Sequence, residues 1–202
     1  MSMPDGTGLE ALVIKHLDAE LAEHSQLLLR TRDAVAEEFS VLVRSCSDAL
    51  RSGHKLLFFG NGGSAADAQH LATEFVVRYR RNRRALAAIA LTTDTSALTA
   101  IGNDFGFDEL FARQVEALCS SGDVAIGIST SGNSENVIRG LQAAKAGGAV
   151  TVAFTGEGGG RLAGRVDCSI RIPSTVTARV QEMHLLLGHV LCAILEHEVE
   201  MR

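Results

Sequence analysis

Two prolines in 202 residues leave little to interrupt a helix or a strand, and Pro173 is the one that falls within the patterned part of the chain. No apolar run approaches the ~20 residues that a membrane span requires. The N-terminus lacks a basic segment followed by an apolar one, so no secretory signal is expected. The four cysteines, Cys46, Cys119, Cys168 and Cys192, show no CxxC spacing. They fit free buried thiols in a reducing cytoplasm, not a disulfide frame or a cysteine zinc site. An excess of positive charge is missing too. Nineteen Lys and Arg against 24 Asp and Glu give a net charge of −5, without the electrostatic footprint of a DNA or RNA binder. The one basic run, Arg78 to Arg84, reads as a solvated turn after a helix. Neither an internal repeat nor a low-complexity linker is present.

What is there is enough for one sizeable domain. Its organising stretch is Leu56-Leu57-Phe58-Phe59-Gly60-Asn61-Gly62-Gly63-Ser64, which runs into Ala65 to Glu74. An apolar run ends in a glycine-rich turn, and a helical pattern follows: the opening of an α/β unit. Gly60, Gly62 and Gly63 lack a Cβ and let a ligand approach the backbone, while the N–H groups of the helix start favour an anion. One turn further, His70 and Glu74 are four residues apart and share a helix face.

In chain order, residues 1 to 8 read as a frayed tail. From Leu9 to about Ser52, apolar residues recur at three and four, with a division into two helices at Arg30-Thr31-Arg32-Asp33. This arm, residues 1–53, has to bury its stripe on something, and a partner subunit is the candidate. Residues 54–202 then alternate. The expected strands are Lys55–Phe59, Ala85–Leu91, Asp123–Ser129, Ala149–Thr155 and Cys168–Ile172. The expected helices are Ala65–Tyr79, Thr95–Ile101, Phe107–Leu118, Ser134–Ala146 and Thr177 to about Val199, with a helical turn inside the glycine-rich loop Glu157–Ala163. Such alternation makes a parallel sheet covered on both faces, with ligands at the carboxyl ends of the strands.

Three constellations carry chemistry. Gly60, Gly62 and Ala65 satisfy Gly-x-Gly-x-x-Ala, but a dinucleotide site wants an acidic residue about twenty positions on, where Arg80 and Arg81 stand. Ser129-Thr130-Ser131-Gly132-Asn133-Ser134 follows a strand and opens a helix. It has no Walker lysine, so it suits a phosphate monoester better than a nucleoside triphosphate, the plain alternative being a serine-rich helix cap. In the last helix, Arg179 to His189 places a histidine in an apolar stretch. It is either a satisfied core residue or, with His70 and Glu74, part of a metal or acid/base site. Gln181 and His189 lie two turns apart and about 80° around the axis, able to flank one ligand.

These motifs, in this order, resemble the sugar isomerase (SIS) family, and within it the phosphoheptose isomerases. The resemblance rests on Gly60–Glu74, Ala100–Phe105 (AIGNDF), Ser129–Ser134 and Thr177–His189 (TARVQEMHLLLGH), the last being the most diagnostic. It implies a flavodoxin-like five-stranded parallel sheet in a homotetramer with sites at subunit boundaries. The implied reaction takes sedoheptulose 7-phosphate to D-glycero-D-manno-heptose 7-phosphate, for lipopolysaccharide or capsule. It implies that Ser129, Thr130, Ser131 and Ser134 hold the phosphate, that Asn61, Gly62 and Gly63 line the sugar, and that Asn103 and Asp104 face it. Zinc would be held by His70, Glu74, Gln181 and His189. An enediol route needs a base, for which Glu74 is the candidate, and an acid, for which His189 is. A zinc-bound carboxylate is a weakened base, so the two roles compete on Glu74. The family also contains a non-catalytic partner of the bacterial replication initiator. That relative lacks the carboxylate and histidine that stand here as Glu74 and His189. Sugar-phosphate-sensing members carry fused domains for which this chain has no room.

Overall fold

The computed structural model describes residues 6–200. The expected tail at residues 1–5 lies outside the described residues, and from Gly6 the chain is already helical.

Helix α1 runs without a break from Gly6 to Arg51, 46 residues and about 69 Å. The expected division at Arg30–Asp33 does not occur. Leu27, Thr31 and Val35 follow one another at intervals of four on the buried side, while Arg30, Arg32 and Asp33 face solvent. The polar cluster is thus the outer face of one helix, not an interruption of it. The first half of α1 stands clear of the core: Leu9, Leu17 and Leu21 are 66%, 51% and 62% exposed.

The remaining elements are β1 (Leu56–Gly60), α2 (Gly63–Val76), β2 (Ala88–Ala90), α3 (Thr95–Asp104), α4 (Ala112–Leu118), β3 (Val124–Ile128), α5 (Glu135–Ala146), β4 (Val150–Thr155), β5 (Cys168–Arg171) and α6 (Thr177–Glu200). Single 3₁₀ turns lie at Phe107–Glu109 and Gly160–Leu162. Two expectations change. The second strand shrinks to three residues because it pairs with β1 alone, at Leu56–Phe58, and its flank from Ala85 has no further strand to follow. The Phe107–Leu118 helix divides into a 3₁₀ turn and α4, while α3 extends to Asp104.

The five strands are all parallel in the order β2-β1-β3-β4-β5, the flavodoxin-like arrangement. Alternate strand residues serve opposite faces. Leu56, Phe58, Val124, Ile126, Val152 and Phe154 pack with the buried stripes of α1, α2 and α6. Leu57, Phe59, Ala125 and Ala153 pack with Phe111, which precedes α4, with Val115 of α4, and with Val137 and Leu141 of α5. The order reverses between β1 and β3, so the crevice for a ligand opens between the loops that leave those two strands.

Across Thr177–Glu198, α6 has the length (22 residues) and mean hydropathy (1.2) of a membrane-crossing helix, which corrects the expectation that no stretch comes near one. Half of that span is buried in the fold, where Val180, Met183, Leu191 and Leu195 join the core.

Candidate functional site

The glycine loop and the serine loop meet at the switch point. Asn61, after β1, and Asn136, in the first turn of α5, exchange hydrogen bonds: Asn61 Nδ2 donates to Asn136 Oδ1 at 2.8 Å, and Asn136 Nδ2 to Asn61 Oδ1 at 2.9 Å. Asn136 is buried. The motif reading missed it, although it stands only two residues past the serine loop.

In that loop, Ser129 and Ser134 share a hydrogen bond between their hydroxyls at 3.0 Å. Ser134 occupies the N-cap position of α5, but its side chain caps nothing. The serine-rich cap expected as the plain alternative is therefore not formed. Ser131 Oγ accepts from Asn133 N at 3.2 Å, and Thr130 O accepts from Gly156 N at 2.9 Å. Gly132 sits at φ +65°, and a Cβ there would drive into the carbonyl of Gly159. Only glycine fits where the serine loop rests on the loop after β4. Helix α2 starts on Gly62, which likewise has no side chain to cap it, whereas Asp94 Oδ1 caps α3 by accepting from Ala97 N at 3.0 Å. Two helix N-termini thus present N–H groups at the carboxyl end of the sheet.

Helix α6 runs alongside α2. At Gly188 the approach is so close that a Cβ would lie 2.5 Å from Leu71 Cδ2. This contact sets His189 beside His70, with the two Nε2 atoms 2.8 Å apart and the rings edge-on. His70 Nε2 is 3.6 Å from Glu74 Oε1. One nitrogen from each histidine and a Glu74 oxygen all lie within 4.8 Å of one another. Two imidazole nitrogens and a carboxylate suit zinc, and three protein ligands leave a position open for substrate. Burial first, and the neighbouring His70 next, hold His189 below the ordinary 6.5, so its imidazole is neutral at pH 7 and offers a lone pair.

Gln181 lies elsewhere. Its amide packs against Gly63 at the start of α2, two turns before His189. The structure therefore brings His70, Glu74 and His189 together and sets Gln181 at the glycine loop. Asn103 and Asp104 are exposed at the end of α3, where Asn103 Nδ2 donates to Asp104 Oδ1 at 2.8 Å. Among the described residues, no side-chain hydrogen bond or ion pair ties them to the other site residues.

The expected solvated turn at Arg78–Arg84 is only partly so. The Arg83 side chain is 2% exposed and pairs with the equally buried Glu196 of α6 at 3.3 Å. The single tyrosine of the chain, Tyr79, stacks on His189 with ring centroids 5.4 Å apart and planes at 20°. Neither Tyr79 nor Glu196 carries a motif signal, since each acts through a partner more than a hundred residues away.

The SIS domain family model matches residues 21–156, which span the glycine loop, the serine loop and the His70–Glu74 pair. The chain belongs to the SIS domain family. Among its SIS relatives, the phosphoheptose isomerase of Paramagnetospirillum magneticum is 58% identical over 176 residues, covering 87% of this chain and 92% of that protein. That of Aquifex aeolicus is 55% identical over 177 residues, covering 88% and 93%. The solved phosphoheptose isomerase of Neisseria gonorrhoeae superimposes with a TM-score of 0.87 at 42% identity, covering 92% of this chain and 99% of that one. This SIS chain and the Francisella tularensis enzyme superimpose at 0.88 with 33% identity, covering 92% and 98%.

Proposed function

We propose that the protein is an aldose–ketose isomerase that converts sedoheptulose 7-phosphate to D-glycero-D-manno-heptose 7-phosphate. The observation that carries the reading is the convergence of His70, Glu74 and His189, in a chain 58% identical to a phosphoheptose isomerase. The reaction breaks the C1–H bond, forms a C2–H bond, and moves a proton from O1 to O2 by way of an enediol.

The phosphate sits at the start of α5 in the hydroxyls of Ser129, Thr130, Ser131 and Ser134. The sugar lies over Asn61, Gly62 and Gly63, with Gln181 above Gly63 and with Asn103 and Asp104 as further contacts. The Glu74 carboxylate takes the proton from C1 and returns it at C2. His189 shuttles the proton between O1 and O2. His70, Glu74 and His189 would hold one zinc per chain, and Gln181, expected as a fourth donor, stays with the sugar over Gly63. When bound, zinc supplies Lewis-acid polarisation of the carbonyl and hydroxyl oxygens. Residues that bind the phosphate sit remote from the reacting carbons, so they anchor the substrate without taking part in proton transfer.

Residues 1–53 serve assembly, and residues 54–202 carry the site. The exposed apolar residues of α1, among them Leu9, Leu12, Ile14 and Leu17, support a homotetramer with sites at subunit boundaries. Four free cysteines among the described residues and the net charge of −5 support a cytoplasmic enzyme without nucleic-acid or membrane partners. The product would feed heptose units of lipopolysaccharide or capsule. Incubation of the zinc-loaded protein with sedoheptulose 7-phosphate, followed by NMR of the phosphorylated products, tests the activity. Absence of the aldose would refute it. Light scattering at micromolar concentration tests the assembly, and a mass near 21.4 kDa, that of one chain, would refute it.

A further inference from the structure

We propose that Tyr79 is a positioning residue for His189, held in place by Glu196. The inference rests on the reading of His189 as part of the site. It adds the device that orients the imidazole.

His189 is tethered at one atom by the 2.8 Å contact with His70 Nε2. A single contact at Nε2 leaves the ring free to swing about it, because the terminal torsion of histidine is broad. A parallel aromatic face removes that freedom. Tyr79 supplies one, offset-stacked at 5.4 Å and 20°, within the range of favourable ring pairs. The Arg80 guanidinium lies over the Tyr79 ring in turn, 4.9 Å from its centroid.

Tyr79 lies in the segment that follows the end of α2 at Val76, where a chain is ordinarily mobile. Three interactions hold it there. The Glu196 carboxylate accepts the backbone N–H groups of Tyr79, Arg80 and Arg81 at 3.1, 2.9 and 3.0 Å. It also pairs with Arg83 Nε. Arg83 then donates to the carbonyls of Phe75 and Glu74 at 2.9 and 2.7 Å, satisfying acceptors that the end of α2 leaves open. A buried carboxylate is costly unless fully partnered, and here every partner belongs to the segment that carries Tyr79. The clamp therefore ties α6, the end of α2 and the ring over His189 into one unit. The phenol hydroxyl has Arg80 Nη2 near it at 3.3 Å and plays no part in the stacking.

The test compares Tyr79→Leu with Tyr79→Phe in the full-length protein. Tyr79→Leu should lower kcat and the affinity for zinc, titrated alone into metal-free protein, by about 10–100-fold, as loss of an outer-shell partner does, with KM nearly unchanged. Tyr79→Phe keeps the ring and should stay within about twofold of the parent in both, since the lost groups do not touch His189. Glu196→Gln, which keeps an acceptor but loses the charge, should show the Leu pattern at smaller size. In proton NMR of the metal-free protein, Tyr79→Leu should remove the ring-current shift of the His189 ring protons. Tyr79 is half-exposed, so the Leu variant should retain its circular dichroism spectrum. Parental kcat and zinc affinity in Tyr79→Leu would overturn the proposal, as would a Phe variant as impaired as the Leu one. If the parent protein itself failed to turn over the sugar phosphate, the proposed activity would fall. The zinc titration and the His189 shifts would then still decide the role of Tyr79.

Discussion

Asn61 and Asn136 donate to and accept from each other through their side-chain amides, at 2.8 and 2.9 Å, across the point where the strand order reverses. The glycine loop and the start of α5 are therefore locked at one separation, and the amide of Asn61 is committed to that bond. Asn136→Asp puts an acceptor oxygen in place of the Nδ2 that donates to Asn61 Oδ1, and so sets two acceptors against each other and breaks half of the exchange. It should destabilise the protein by about 1–3 kcal/mol in urea unfolding and raise KM. A double-mutant cycle of Asn61→Ala and Asn136→Ala should show a coupling of about 0.5–3 kcal/mol. Additive effects would mean that the two loops are positioned independently.

Glu74→Gln should leave the fold and phosphate binding intact while turnover falls by about 10²–10⁴-fold, the usual cost of losing a general base. The substitution is nearly isosteric, and the Glu74 side chain, 20% exposed, lies one turn past His70 with its carboxylate 3.6 Å from the imidazole. Retention of more than about a tenth of the parental rate would remove Glu74 as the base.

Ser131→Ala and Ser134→Ala should raise KM with little change in kcat, because phosphate contacts are largely uniform binding. Ser134→Ala also leaves the buried Ser129 hydroxyl without its 3.0 Å partner and should cost about 1 kcal/mol of stability. Ser131 is exposed, and its alanine variant should not. Unchanged KM in both variants would move the phosphate to another loop.

Elemental analysis of protein purified without chelator should give about one zinc per chain, and His70→Ala and His189→Ala should each abolish it, since structural and catalytic zinc sites alike need at least three protein ligands. Full occupancy in either variant would take that histidine out of the ligand set.

His184 predicts a pH dependence of stability. Burial lowers its pKa from 6.5 to about 4, and its Nε2–H donates to Thr155 O at 3.1 Å. Because the folded pKa is depressed, the unfolded chain binds the extra proton between those two values. Stability is therefore full above about pH 6.5 and falls as the pH drops toward 4, by up to about 1.4 kcal/mol per unit from this group. His184→Gln keeps a donor without a titrating group. Urea denaturation from pH 7 to 4 should show a shallower loss for the variant, and parallel curves would exclude the effect.

The strands, their order of appearance and the glycine and serine loops were legible in the sequence, because apolar runs, glycine turns and helical periodicity are set by neighbours along the chain. The spacing of four between His70 and Glu74 is likewise a local fact. That His189 arrives beside them is not. It depends on α6 crossing α2 closely at Gly188 and Leu71, a contact between residues 117 apart, and on the parallel course of the two helices. The same holds for Gln181, whose two-turn offset from His189 was readable, while its place against Gly63 was decided by that course. Asn136, Tyr79 and Glu196 had no signal at all, because an amide, a phenol and a carboxylate gain a role only from the partner that tertiary packing supplies. Continuity of α1 through Arg30–Asp33 was decided by which face packed on the core beside α6: polar residues that look like a break in sequence are, once the helix docks, its solvent side.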